Sequence, residues 1–335
     1  MEPVRNPPEP SPPPSISRVN IPAFTPRLGK VPFVASVAIV LAGVVVAFIG
    51  YDLHIAFRDT LAYWDSNLST SADEQVSVES LWLFERRTDT EAIAHNAGTA
   101  RMLARRASRS NFTDLRQGVE QDIARMATIN GFVGGAVEDT DCRLVAQSRV
   151  PAEALEGVQE ACRKTRQSSA FQVIPFDKYQ PHVWLNLAFP VFAEPGDSNP
   201  VAAARRQLGA VVMLAEPWDT AFRFFADDRG PHRPVETEIA WENNGEAVCF
   251  SPRLHENAIQ SAVRLPIGAD TFESRVAREG SVQFGEFVDR HGARVLGVAL
   301  PIAPAAASLA RKVDRKLALA DFHRRALLEW LAGAL

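Results

Sequence analysis

One short stretch, "FDKYQPHVWLNLAF" (residues 176–189), gathers side chains of the kinds that line a small-molecule pocket: Tyr179, His182, Trp184 and Asn186. Such a pocket needs apolar area for affinity and a few polar groups for orientation. By the two-residue period of a strand, 182, 184 and 186 share one face, while Leu185, Leu187 and Phe189 share the other and read as core. A solvent-facing strand side with a partly buried Trp fits the same alternation. Asp219 stands where an apolar strand runs into a helix, and its carboxylate could hold a ligand amine. Capping the free N–H groups of that helix explains it equally well.

Catalytic chemistry has no comparable signal. The chain contains no G-x-S-x-G, H-E-x-x-H or Walker loop, and its seven histidines are scattered. "GFVGG" (131–135) precedes a strand instead of opening a helix, which argues against phosphate binding. The expectation is a protein with no catalytic residues, no metal site and no cofactor, and not an enzyme. With 36 basic and 40 acidic residues, the net charge of -4 argues against nucleic acid as a partner. Of the three cysteines, Cys142 lies in a turn and Cys162 on a following helix pattern. A disulfide between them would close a loop of about 20 residues and contribute roughly 3 kcal/mol. Two buried thiols are the other reading, and Cys249 would remain single.

These residues need elements to position them. The 335-residue, 46% hydrophobic chain has room for two cores. Residues 1–30 hold a proline-rich segment expected to be a disordered cytoplasmic tail. Residues 31–50, "VPFVASVAIVLAGVVVAFIG", carry no charge and at about 1.5 Å per residue reach roughly 30 Å, a hydrocarbon core's thickness. Arg18, Arg27 and Lys30 precede this segment and Asp52 and Asp59 follow it. The positive-inside rule therefore places the bulk of the chain outside, beyond an uncleaved inner-membrane anchor.

Residues 51–130 read as a helical stalk. The 75–108 stretch is expected to be one helix, with Leu81, Phe84, Ile93, Ala97, Ala100, Leu103 and Ala104 recurring along it and Gly98 as a weak spot. Strand-and-turn patterns then fill 131–228, interrupted by a helix after Pro151 and closed by a boundary at "DDRGPHRPV". A second run, 235–322, repeats the order, with hairpin turns at Asn244-Gly245 and His291-Gly292. Each run ends in a strand, an Asp (Asp219, Asp314) and a helix. The predicted fold class is α+β: a membrane helix, a long stalk and two tandem modules with antiparallel sheets.

The order of "GGAVEDTDCRLVAQS", "QLGAVVMLAEPWDTAF", "GEFVDRHGARVLGVALPI" and "LARKVDRKLALADF" resembles the double Cache, or tandem PAS-like, extracytoplasmic sensor domains of bacterial membrane signalling proteins, over about residues 52–325. That resemblance implies a membrane-distal module (131–228) binding a small ligand and a membrane-proximal module (235–322) relaying it through membrane helices. It also implies a homodimer through the Ala-rich face of the stalk helix, and a kinase or cyclase output that this chain lacks. The family's amino-acid binders carry an arginine before an aromatic pair on the corresponding strand. "PHVWLN" has none, which counts against a free amino acid held by its carboxylate. Residues 323–335 are expected to be the start of a truncated second membrane helix or a short interfacial one. A ligand-free, membrane-tethered periplasmic scaffold is the alternative to a sensor.

Overall fold

The computed structural model describes residues 33–176, 184–193, 206–216, 235–250 and 262–334. Helix α1 (Phe33–Ala94) runs unbroken for 62 residues, or about 93 Å. Its first part is long and apolar enough to cross a membrane; Ile39, Val40, Leu41, Val44 and Phe48 there are all exposed.

The stalk is not one helix through residue 108. It breaks at His95–Asn96, two residues before Gly98, and restarts as α2 (Ala97–Ala107). The cause is a local cap: the Asn96 side chain accepts a hydrogen bond from the Gly98 N–H at 2.7 Å, satisfying a free amide at the new helix start. Helix α3 (Thr113–Asn130) ends at Gly131 in left-handed conformation. The apolar positions also divide. Leu81 and Phe84 are 62% and 59% exposed, while Ile93, Ala100 and Leu103 are buried against the first sheet's core.

That first sheet has the order β2-β1-β5-β4-β3 and is antiparallel throughout. Its strands are β1 (Phe132–Asp139), β2 (Leu144–Ser148), β3 (Gln172–Phe176), β4 (Trp184–Phe192) and β5 (Gln207–Ala215). One face, with Val137, Leu187, Val211 and Met213, packs on the α1–α3 helices. The opposite face, with Ala136, Ala188, Val212 and Leu214, packs on α4 (Leu155–Ser168), whose inner side presents Gly157, Val158 and Ala161.

The second sheet has the order β8-β7-β6-β11-β10-β9, again antiparallel. Its strands are β6 (Val235–Asn243), β7 (Glu246–Phe250), β8 (Val263–Pro266), β9 (Val282–Val288), β10 (Arg294–Ile302) and β11 (Ala307–Asp314). The β6–β7 turn places Asn244 and Gly245 at φ 54° and 81°, the left-handed pair that a two-residue hairpin requires. Ile239, Trp241, Val248, Leu296 and Leu309 face α1, whereas Ala240, Ala247, Val295 and Ala299 face α5 (Phe272–Glu279). Gly297 lies beneath the Phe272 ring, where a Cβ would come within 2.7 Å of Cζ.

Beyond β11 come α6 (Arg315–Ala318) and α7 (Ala320–Ala334). Asp314 caps α6, its Oδ1 accepting from the N–H groups of Lys316 at 2.7 Å and Leu317 at 3.3 Å. Helix α7 then returns along α1. Arg325 donates to Asp52 at 2.9 Å, Phe322 packs on Phe57, and a Cβ added at Gly333 would lie 2.7 Å from Ile49 Cδ1. Leu327, Leu328, Trp330 and Leu331 remain exposed.

Candidate ligand-binding site

Of the five residues expected to hold a ligand, Tyr179, His182 and Asp219 lie outside the described residues. Trp184 and Asn186 stand two apart on β4 and point into the layer between the first sheet and α4. Both are buried, at 3% and 0% exposure, so this strand side does not face solvent. The reason is α4: its small inner residues let the helix lie close over the sheet, and Trp184 fills the space beside Ala154, Val158, Ile174 and Leu214.

Asn186 is polar in an otherwise apolar layer. Its Nδ2 donates to the Ile174 carbonyl at 3.3 Å, while its Oδ1 has no hydrogen-bond partner among the described residues. A buried, unpaired amide oxygen costs about 1–3 kcal/mol, so it marks a position that packing alone does not explain.

Cys142 and Cys162 are joined by a disulfide, with Cα atoms 5.8 Å apart, which ties α4 to the β1–β2 turn. Cys249 is free and buried. Next to the disulfide, donor atoms of Glu138, Cys142 and Cys162 lie within 4.8 Å of one another. The sulfurs are committed to the disulfide and offer no thiolate to a metal.

Sequence pattern reveals none of the five buried carboxyls among the described residues, Glu79, Glu138, Glu238, Glu273 and Asp289, and the first three are raised above their ordinary range. Burial pushes Glu138 up to about 8, helped by neighbouring Asp139 and opposed by Arg163. Glu79 on α1 is pushed up to about 8 by burial alone. Glu238 on β6 is raised mainly by burial, against the lowering effect of Lys312 and Arg290.

No known family's sequence profile matches the chain, and no curated protein does either. Among solved structures, it superposes on the ligand-binding domain of the Campylobacter jejuni chemoreceptor Tlp3, crystallised with L-norvaline. The TM-score is 0.50 at 8% identity, covering 78% of this chain and 94% of that one. The fold is that of the double Cache sensor domains. The Pseudomonas aeruginosa amino acid chemoreceptor PctB with L-Arg (TM-score 0.47, 14% identity, 77% of this chain and 97% of that one) also matches. So does the Mlp24 ligand-binding domain with asparagine (TM-score 0.45, 10% identity, 82% and 99%). Within the double Cache fold, the long helix backs both sheets, and the opposite faces carry Trp184 and Asn186 in the first sheet and the Glu238–Lys312 pair in the second.

Proposed function

We propose that this chain is the membrane-anchored periplasmic input region of a bacterial signal-transduction protein, without catalytic activity of its own. A small molecule binds in the membrane-distal module, between its sheet and α4, and the membrane-proximal module relays the event. The observation that carries this reading is the unpaired Asn186 amide oxygen beside Trp184, buried where a pocket needs one orienting polar group in apolar walls. Helix α7, packed against α1 through Arg325–Asp52 and Gly333–Ile49, is read as entering the membrane alongside it. A ligand shifts such an assembly only through different affinity for two arrangements, typically about 1–3 kcal/mol.

Thermal-shift screening of the full chain against amino acids, organic acids, amines and purines tests the site. Amino acids lead the panel because the Tlp3 domain was crystallised with one. A ligand at about a hundred times its Kd stabilises by roughly 2.7 kcal/mol, which is several degrees in Tm. The expected result is a hit whose shift disappears in Asn186→Ala. A blank across the panel favours the scaffold reading.

Dimerisation belongs to the same proposal, with its surface relocated. Ala100 and Leu103 of the Ala-rich stretch are buried within the chain, whereas Val78, Leu81 and Phe84 of α1 are exposed. Cysteines placed at 81 and 84 are therefore expected to cross-link two copies in membranes. Efficient cross-linking at 100 or 103 instead would place the interface elsewhere.

A further inference from the structure

The second sheet buries charge on the face covered by α5. Lys312 of β11 is 2% exposed, and its Nζ lies 2.5 Å from Glu273 Oε1 on α5 and 3.3 Å from Glu238 Oε1 on β6. Glu236 Oε2 and Asp289 Oδ2 follow at 3.8 and 3.9 Å. Arg290, on the β9–β10 turn with Asp289, places a guanidinium nitrogen 3.0 Å from Glu238 Oε1. From β7, Cys249 completes the surroundings as a neutral thiol, pushed up to about 12 by burial and the nearby carboxylates.

The charges do not balance. Among the described residues, the buried carboxyls Glu238, Glu273 and Asp289 face two cations, Lys312 and Arg290, and Glu236 adds a further acid at the rim. An uncompensated buried anion is costly, and a bound proton is the smallest ion that removes it. The hydrogen bonds indicate which carboxyl takes it. Asp289 is fixed as an acceptor of the His291 and Ala293 N–H groups, and Glu273 holds the Lys312 ammonium. Glu238, 1% exposed, meets both cations at Oε1, Arg290 at 3.0 Å and Lys312 at 3.3 Å, and its Oε2 has no hydrogen-bond partner among the described residues.

We propose that Glu238, within this cluster, is a proton-binding site through which external acidity reaches the exit from the second module. The route is short. Lys312 stands two residues before Asp314, whose carboxylate starts α6, and the Ala318 carbonyl of α6 accepts a hydrogen bond from the Trp64 indole N–H of α1 at 3.0 Å. When Glu238 is protonated, Lys312 loses an anionic partner and rests on Glu273 and Asp289. The end of β11 and the α6–Trp64 contact then favour a second arrangement. Burial already holds the Glu238 carboxyl above its ordinary range despite both cations. This input is independent of any ligand between the first sheet and α4.

The test uses the full chain in lipid nanodiscs, labelled with 5-fluorotryptophan, with the Trp64 ¹⁹F resonance assigned through Trp64→Phe. Between about pH 4.5 and 8.5, that resonance is expected to move in a single transition centred above the ordinary glutamate value. Arg290→Gln removes a cation that favours the ionised form and moves the midpoint to higher pH. Glu238→Gln, checked for folding by its melting transition, abolishes the midpoint and holds the low-pH spectrum. A Trp64 resonance that stays still, or a Glu238→Gln chain that titrates like the parent, overturns the proposal. If Glu238→Gln does not fold, Arg290→Gln decides alone: an unmoved midpoint sinks it.

Discussion

Replacing Lys312 by methionine is expected to lower the unfolding free energy by about 3–5 kcal/mol at alkaline pH, with most of that loss vanishing on acidification. Methionine keeps the length of the side chain and removes only the ammonium. It leaves Glu273 without the partner at 2.5 Å and Glu238 with Arg290 alone. Glu238 is already raised above its ordinary value of 4.5 in the folded protein, so folding favours its neutral form. Its contribution to stability is therefore fully present below the unfolded pKa and lost as pH rises through the folded one. Removing the cation raises the folded value further, so the deficit between the two chains opens only as pH climbs past the parent's already raised value and is complete above the variant's. Denaturant unfolding of both chains at several pH values reads this directly. A deficit that does not change with pH would mean that Lys312 matters for packing and not for charge. In the double variant Glu238→Gln with Lys312→Met, much of the alkaline deficit should be restored.

The difference between what the sequence revealed and what it hid follows from what each pattern encodes. Asn244-Gly245 was legible because the need for positive φ at two adjacent residues is a local property, and the turn adopts it. Asp314 was legible for the same reason, since a cap involves residues two and three further along the chain. The helix break at Asn96 was equally local and is marked by an N-cap residue before Gly98, a signal that the apolar spacing across it obscured. Burial is not local. Leu81 and Phe84 share an apolar pattern with Ile93 and Leu103, but only the latter two meet a sheet. Alternation in β4 put Trp184 and Asn186 on one side without saying what lies over it; α4 does. In β6 and β11, Glu238 and Lys312 look like residues of a solvent face. They are buried because α5 covers that face and brings Glu273 with it. A charge in an alternating strand therefore becomes informative only once its covering element is known.

Trp184→Ala is expected to cost about 3–5 kcal/mol of stability and to remove the response to any ligand found by screening. The residue is 3% exposed and, among the described residues, supplies the one large ring in a layer of alanines, valines, isoleucine and leucine. The layer cannot readily close over the vacancy, because the Cys142–Cys162 disulfide pins α4 to the β1–β2 turn. A persistent apolar cavity should accept free indole, which would raise the melting temperature of the variant but not of the parent chain. Stability alone does not distinguish a pocket wall from ordinary core, so the comparison with its neighbour is decisive. Asn186 makes one hydrogen bond, at 3.3 Å, and leaves its oxygen unpaired, so Asn186→Ala should cost only about 1 kcal/mol. If the two residues line a common pocket, the variants differ severalfold in stability cost and agree in losing the ligand response. If Asn186→Ala binds as the parent does while Trp184→Ala merely melts earlier, the β4 face is core, and the ligand site lies elsewhere.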